Sequence, residues 1–238
     1  IKHFSREHPA KVIAVVRDRN RFERKIKEAN ISDITIYEFD ACSENTFEDL
    51  FYTISSKFQN DEAVGIVNLA RDKSDLTKSA AEAKTRSDLN QLTNYFNSEV
   101  VYSLRLAVAA RAVFETKLQR VIFCGSIYGT RVPNPTLYDD ALQSSPIQYG
   151  ITKAALKKLT QELAVRWLRD GCTVNMISYG GVRGRATSDF ESRYTGQNGC
   201  SEMVQTVDCI GPIQFLLSDA SNAITGQDII VDNGYTLT

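Results

Sequence analysis

Tyr149 and Lys153 stand four residues apart in the run Tyr149-Gly150-Ile151-Thr152-Lys153. In a helix, that spacing puts both side chains on one face. The stretch that follows, from Ala154 to Ala164, is rich in Ala, Leu, Lys, Gln and Glu, all strong helix formers. A phenol ordinarily loses its proton near pH ~10, and an adjacent ammonium favours the phenolate. A phenol tuned in this way can give or take the proton of an alcohol or carbonyl near neutrality. Tyr-x-x-x-Lys alone is common on helix surfaces, so its meaning depends on what the chain arranges around it.

The elements that must carry this pair alternate in type. Val12-Ile13-Ala14-Val15-Val16 reads as a strand, and Arg19 to Ala29 as a helix. A strand over Ile34 to Phe39 is followed by a helix over Thr46 to Phe58, and a third strand covers Ala63 to Val67. Asp72 to Asp88 is polar and reads as loop, and Asn90 to Glu115 carries a long helical pattern. Val121 to Cys124 is a fourth strand. The Tyr149 helix stops near Asp170-Gly171, and Thr173 to Ile177 and Ile229 to Val231 are the last strands. Runs rich in β-branched residues joined by helices predict an α/β fold with a doubly wound parallel sheet, Rossmann-like, buried on both faces. No linker, repeat or low-complexity segment interrupts it, so residues 1–238 read as one domain.

Composition narrows the functional classes. The 238 residues include 28 Lys+Arg against 29 Asp+Glu, which gives no basic excess for nucleic acid and no acidic tail. No apolar run is long enough to cross a bilayer and no secretory leader is read, so no membrane partner is expected. The five cysteines, Cys42, Cys124, Cys172, Cys200 and Cys209, lack C-x-x-C spacing. They predict neither a zinc site nor a disulfide framework, but a reducing cytoplasm.

A doubly wound sheet binds ligands beyond the carboxyl ends of its strands. Here those ends read Arg17-Asp18, Asp40-Ala41-Cys42, Asn68-Leu69-Ala70-Arg71, Gly125-Ser126-Ile127-Tyr128-Gly129 and Tyr179-Gly180-Gly181-Val182. Polar residues and glycines gather at each of them, although loops are polar in general.

With these residues in order, the chain resembles the short-chain dehydrogenase/reductase family from Ala10 to Leu237. Tyr149 and Lys153 match the catalytic pair, and Ser126 the serine that holds the substrate oxygen. Asn97 matches the asparagine of a proton-relay water, with Asn94 one turn earlier as its rival. Asp40 matches the aspartate beside the adenine ring, and Asn68-Leu69-Ala70 the Asn-Asn-Ala-Gly stretch. The run from Phe215 to Ser221 and then Thr225 to Gly234 is similar to the family's C-terminal signature. Ser126-Ile127-Tyr128-Gly129 and Ser145-Pro146-Ile147-Gln148-Tyr149 also resemble members found with bacterial surface-sugar and nonulosonic-acid pathways.

The resemblance implies hydride transfer between NAD(P) and a carbonyl or alcohol, with a sugar or sugar acid as the small-molecule substrate. Tyr149 would be the general acid/base. Lys153 would hold the nicotinamide ribose, Ser126 would orient the substrate oxygen, and Asn97 would connect the site to solvent. The cofactor residues it implies are Arg17, Asp40, Ala41, Asn68, Ala70, Tyr149, Lys153, Tyr179, Gly180 and Val182. Arg17 falls where an arginine pairs with a 2′-phosphate and Val16 where an acid would bind a 2′-hydroxyl, so NADP is favoured over NAD. A homodimer or homotetramer is expected, with the apolar helices Asn90–Glu115 and Ile151–Arg169 pairing.

Departures from the family pattern leave other functions open. The family opens on a strand and a glycine-rich turn, but the first glycine here is Gly65 and the first residue is Ile1. Ile1 to Arg6 resembles the tail of the first helix, as though the chain starts about twenty-five residues late. Arg71 replaces a glycine and Tyr179 a proline, and an inserted segment from Arg131 to Ser144 is placed to line the substrate cleft. Val182 to Glu202 falls where the family carries a substrate lid. Its Arg183, Arg185 and Arg193 read as a solvated face or as capture of an acidic substrate. The alternatives are a non-catalytic scaffold of the same fold, or a nucleotide-sugar epimerase or dehydratase.

Overall fold

A computed structural model describes residues 12–29, 34–40, 46–57, 63–70, 89–138, 147–184, 186–197 and 202–237. The chain divides into two compact units between Asn60 and Asp61. The first holds two parallel strands, β1 (Val12–Val16) and β2 (Ile34–Glu38), in register from Val12 opposite Ile34 to Val16 opposite Glu38. Helix α1 (Arg19–Glu28) starts at Asp18, whose carboxylate accepts the Arg21 N–H at 2.8 Å. Helix α2 (Phe47–Ser55) opens on a capping box between Thr46 and Asp49. It buries Phe47, Leu50, Phe51 and Ile54, the i, i+3, i+4, i+7 stripe of a one-sided helix.

The second unit is built on a four-stranded parallel sheet in the order β3 (Val64–Asn68), β4 (Leu118–Ser126), β5 (Thr173–Tyr179) and β6 (Asp228–Val231). Its helices are α3 (Leu89–Phe96), α4 (Tyr102–Phe114), α5 (Ile147–Trp167), α6 (Ser188–Gln197) and α7 (Ile210–Leu217). In β4, Leu118, Val121, Ile122 and Phe123 are all buried, as are Val174, Met176 and Ile177 in β5. Consecutive residues on opposite faces are thus both covered, the property that predicted a buried parallel sheet. The interior asparagine of β5 is satisfied: Asn175 donates to the Ile224 carbonyl at 2.8 Å and accepts the Gln227 N–H at 3.0 Å. These bonds tie the approach to β6 against its neighbour.

Among the described residues all six strands are parallel, as predicted, and they lie in two sheets, one in each unit. The predicted strand Val121–Cys124 is longer at both ends. The predicted helix Asn90–Glu115 is interrupted by a wide π-turn at Asn97–Val101, where the Tyr102 N–H reaches back to the Asn97 carbonyl. Gly171 ends the α5 region in the left-handed conformation (φ 73°), as its stop signal predicted. Helices α6 and α7 had no sequence counterpart. The first is mostly polar and is held by long-range anchors, Tyr194, which is 1% exposed, and Phe190, which packs against the same cluster.

Candidate active site

Ser126 closes β4 and is buried. Its hydroxyl accepts the Tyr128 N–H at 3.3 Å, so the chain turns tightly into the short 3₁₀ segment Ile127–Gly129. That turn lies directly against the start of α5. A Cβ on Gly129 would sit 2.9 Å from the Lys153 carbonyl carbon, and one on Gly150 would sit 2.9 Å from the Tyr128 carbonyl oxygen. Two glycines, one on each element, let the backbones touch. The contact places the strand end bearing Ser126 beside the helical turn bearing Tyr149 and Lys153. Sheet register carries the row across, with Ser126 opposite Tyr179 and Tyr179 opposite Val231.

Lys153 is 3% exposed. Its ammonium donates to Glu99 Oε2 at 2.6 Å and to the Cys124 carbonyl at 3.0 Å, and lies 5.8 Å from the centre of the Tyr149 ring. An ammonium has three donors, so one remains for a hydroxyl in the site. Tyr149 is half-buried, with the Tyr128 ring edge-on at 6.4 Å. Tyr128 shares a 2.8 Å hydroxyl contact with Tyr138, and burial first, then Tyr138, pushes its phenol above the usual range. Tyr128 therefore stays protonated.

Beyond the sheet end, Gly180 and Gly181 admit Tyr194, whose hydroxyl accepts the Gly181 N–H at 2.9 Å and whose ring stacks on Tyr235 at 4.1 Å. A Cβ on Gly180 would meet the Tyr194 oxygen at 2.9 Å. Leu137, in the segment expected to line the cleft, is fully buried with Ile127, Tyr194, Met203 and Tyr235.

The structure brings Ser126, Tyr149 and Lys153 onto touching elements but treats Asn97 differently. Asn97 is exposed, as is Asn94, and the residue of that turn that meets Lys153 is Glu99. The sequence flagged neither Glu99 nor the network behind it, because a glutamate in a helix reads as solvated. Asn68 ends β3 with its Oδ1 accepting the Ala70 N–H at 3.0 Å and its Nδ2 donating to Ser103 at 2.9 Å. Tyr179 donates to the Cys209 carbonyl at 2.9 Å, and burial pushes its phenol up as well. Val182 bridges to Val204, and Arg183 is paired with Glu191 at 3.0 Å within the expected lid. In the first unit, Arg17 and Asp40 are 3.6 Å apart across the strand ends. Ala41, Arg71 and Arg185 lie outside the described residues, as do Ile1 to Arg6 and Asp72 to Asp88.

A family model described as Enoyl-(Acyl carrier protein) reductase matches residues 3–236. The chain belongs to this family, a branch of the short-chain dehydrogenases/reductases. Post-translational flagellin modification protein A of Campylobacter coli is 30% identical over 117 residues, 49% of this chain and 46% of that protein. The chain thus spans about half the length of that curated relative. A short chain dehydrogenase from Leptospira borgpetersenii with bound NAD+ superposes with a TM-score of 0.70 at 20% identity, covering 99% of this chain and 96% of that one. A gluconate 5-dehydrogenase from Burkholderia cenocepacia in complex with NADP and tartrate gives 0.76 at 16% identity, covering 96% and 86%. These likenesses show the Rossmann-like fold.

Proposed function

We propose that the chain is an NAD(P)-dependent oxidoreductase acting on a carbonyl or alcohol of a sugar or sugar acid, with NADP preferred. The observation that carries this is the buried Lys153 ammonium, held by Glu99 and the Cys124 carbonyl in helical register with Tyr149 and beside the Ser126 turn. Family membership across residues 3–236 supports treating the chain as one functional domain. The D-arabinitol and mannitol dehydrogenases among the chain's relatives support the sugar class.

The residues fit the cofactor: Lys153 keeps one unassigned donor for the nicotinamide ribose. The turn at Asn68 and Ala70, together with Tyr179, Gly180 and Val182, lies at strand ends where such a ligand binds. As the resemblance implies, Arg17, its side chain 80% exposed, would meet a 2′-phosphate, and Asp40 and Ala41 the adenosine. The cofactor supplies or accepts the hydride. Ser126 orients the substrate oxygen by hydrogen bonding, Tyr149 donates or removes that oxygen's proton, and Lys153 holds its ammonium 5.8 Å from the Tyr149 ring centre. Asn97, as the resemblance implies, holds a water that leads the proton to solvent.

Among the described residues no helix is long and apolar enough to cross a membrane. We place the protein in the cytoplasm as a homodimer or homotetramer. Val101, Leu104 and Val108 leave an exposed apolar row along the Asn97–Phe114 region, and Ile147, Ile151, Val165 and Leu168 leave another along the α5 region. The test is cofactor titration with turnover on a panel of sugar alcohols and aldonates. NADP should bind at least about tenfold more tightly than NAD, a preference lost in Arg17→Ala. No binding of either nucleotide refutes the proposal.

A further inference from the structure

Glu99 is 2% exposed, and its Oε1 meets no donor among the described residues while Oε2 lies 2.6 Å from the Lys153 ammonium. Burying an ion pair costs desolvation that the pair's attraction need not recover, so its presence invites a use beyond stability. The pair is built deliberately into the backbone. The π-turn lets Glu99 and Val100, adjacent in sequence, both face inward. Ser103 donates to the Glu99 carbonyl at 2.5 Å, and Asn68 donates in turn to Ser103 at 2.9 Å. The Glu99 backbone, from which the carboxylate projects, is thus tied through Ser103 to the carboxyl end of β3.

We propose that Glu99 is a positioning residue for the reaction. Its carboxylate fixes the Lys153 ammonium and balances its charge, so that the remaining donor of Lys153 is presented to the cofactor ribose and Tyr149. This inference rests on the oxidoreductase reading above, and it assigns the anchoring of Lys153 to Glu99. The network also couples the two places where the cofactor is held, the Asn68 turn and Lys153, through Ser103 and the Glu99 backbone.

The test compares Glu99→Gln, Glu99→Asp and wild type, then repeats Glu99→Gln in a Lys153→Met background, reading cofactor dissociation constant, kcat and melting temperature. Gln keeps the shape and one acceptor but removes the charge. A hydrogen bond to a charged group is worth about tenfold to a hundredfold, so Glu99→Gln should lose that much in kcat, with cofactor binding also weakened. Glu99→Asp, which keeps the charge with a shorter reach, should fall between. In the Lys153→Met background the same change should alter cofactor affinity by less than about twofold and raise the melting temperature, because it removes an unpaired buried carboxylate. Equal losses in both backgrounds, or a lower melting temperature with unchanged kcat and affinity, overturn the proposal. If wild type binds the cofactor and Glu99→Gln behaves like it, this inference alone fails. If wild type binds neither nucleotide, the oxidoreductase reading fails and this one with it.

Discussion

Replacing Gly129 with Ala tests the backbone contact on which the site depends. The added methyl would lie 2.9 Å from the Lys153 carbonyl carbon, 3.1 Å from the Ala154 nitrogen and 3.1 Å from the Lys153 Cβ. Ordinary carbon contacts lie at about 3.5–4.0 Å, so the turn and the helix must separate by roughly half an ångström or more. Two of the three obstructing atoms are backbone, and the opposite contact at Gly150 and Tyr128 clamps the turn from the other side, so no side chain can swing away to relieve them. Overpacking of this kind costs about 1–3 kcal/mol. At about 2–4 °C per kcal/mol for a chain of this size, the melting temperature should fall by about 2–12 °C. The same displacement moves Ser126 relative to Tyr149, and misplacement by a fraction of an ångström to 1 Å can cost up to about 10²-fold in rate. Calorimetry and steady-state kinetics measure both quantities. Gly196→Ala, in α6 with nothing within 4 Å of its added methyl, serves as the control and should be neutral or stabilising. A Gly129→Ala protein that melts and turns over like wild type refutes the clamp.

Tyr149→Phe should reduce turnover by about 10²–10⁴-fold or more with cofactor affinity nearly unchanged, and near-normal turnover in kinetic assays would remove Tyr149 from the mechanism. Lys153→Met should damage both turnover and cofactor binding. It should also lower stability by about 3–5 kcal/mol in denaturant titrations, since it leaves the buried Glu99 carboxyl without its ammonium partner. Burial pushes the Cys172 thiol up to about 11, so the unfolded chain ionises first as pH rises. The stabilising preference for the thiol is complete below about pH 9 and is lost between there and about pH 11. Wild type should therefore lose more melting temperature across that window than Cys172→Ala, and parallel melting curves would count against it. Analytical ultracentrifugation at micromolar concentration should show a dimer or tetramer that Val108→Glu disrupts.

Local chemistry was enough for most of the scaffold. The Val12–Val16 strand matches at both ends, because an unbroken run rich in β-branched residues suits a pleat and has few competing uses. The Tyr149–Lys153 register was legible because helical side chains four apart share a face whatever the rest of the chain does. Gly171 was readable as a stop because its left-handed backbone carries little steric penalty for glycine. The site's inner support was not legible in this way. Glu99 and Lys153 are 54 residues apart, and helical periodicity alone does not specify the wider turn that admits Glu99 and Val100 together. The same holds for α6, whose mostly polar sequence offers only Phe190 and Tyr194 and whose order comes from both packing inward, Tyr194 into the space left by Gly180 and Gly181. Residue type and short spacing decide which elements form, because those energies are local. Which charge ends up buried against which partner depends on desolvation and close packing between distant segments, and those exist only once the sheet and its helices have come together.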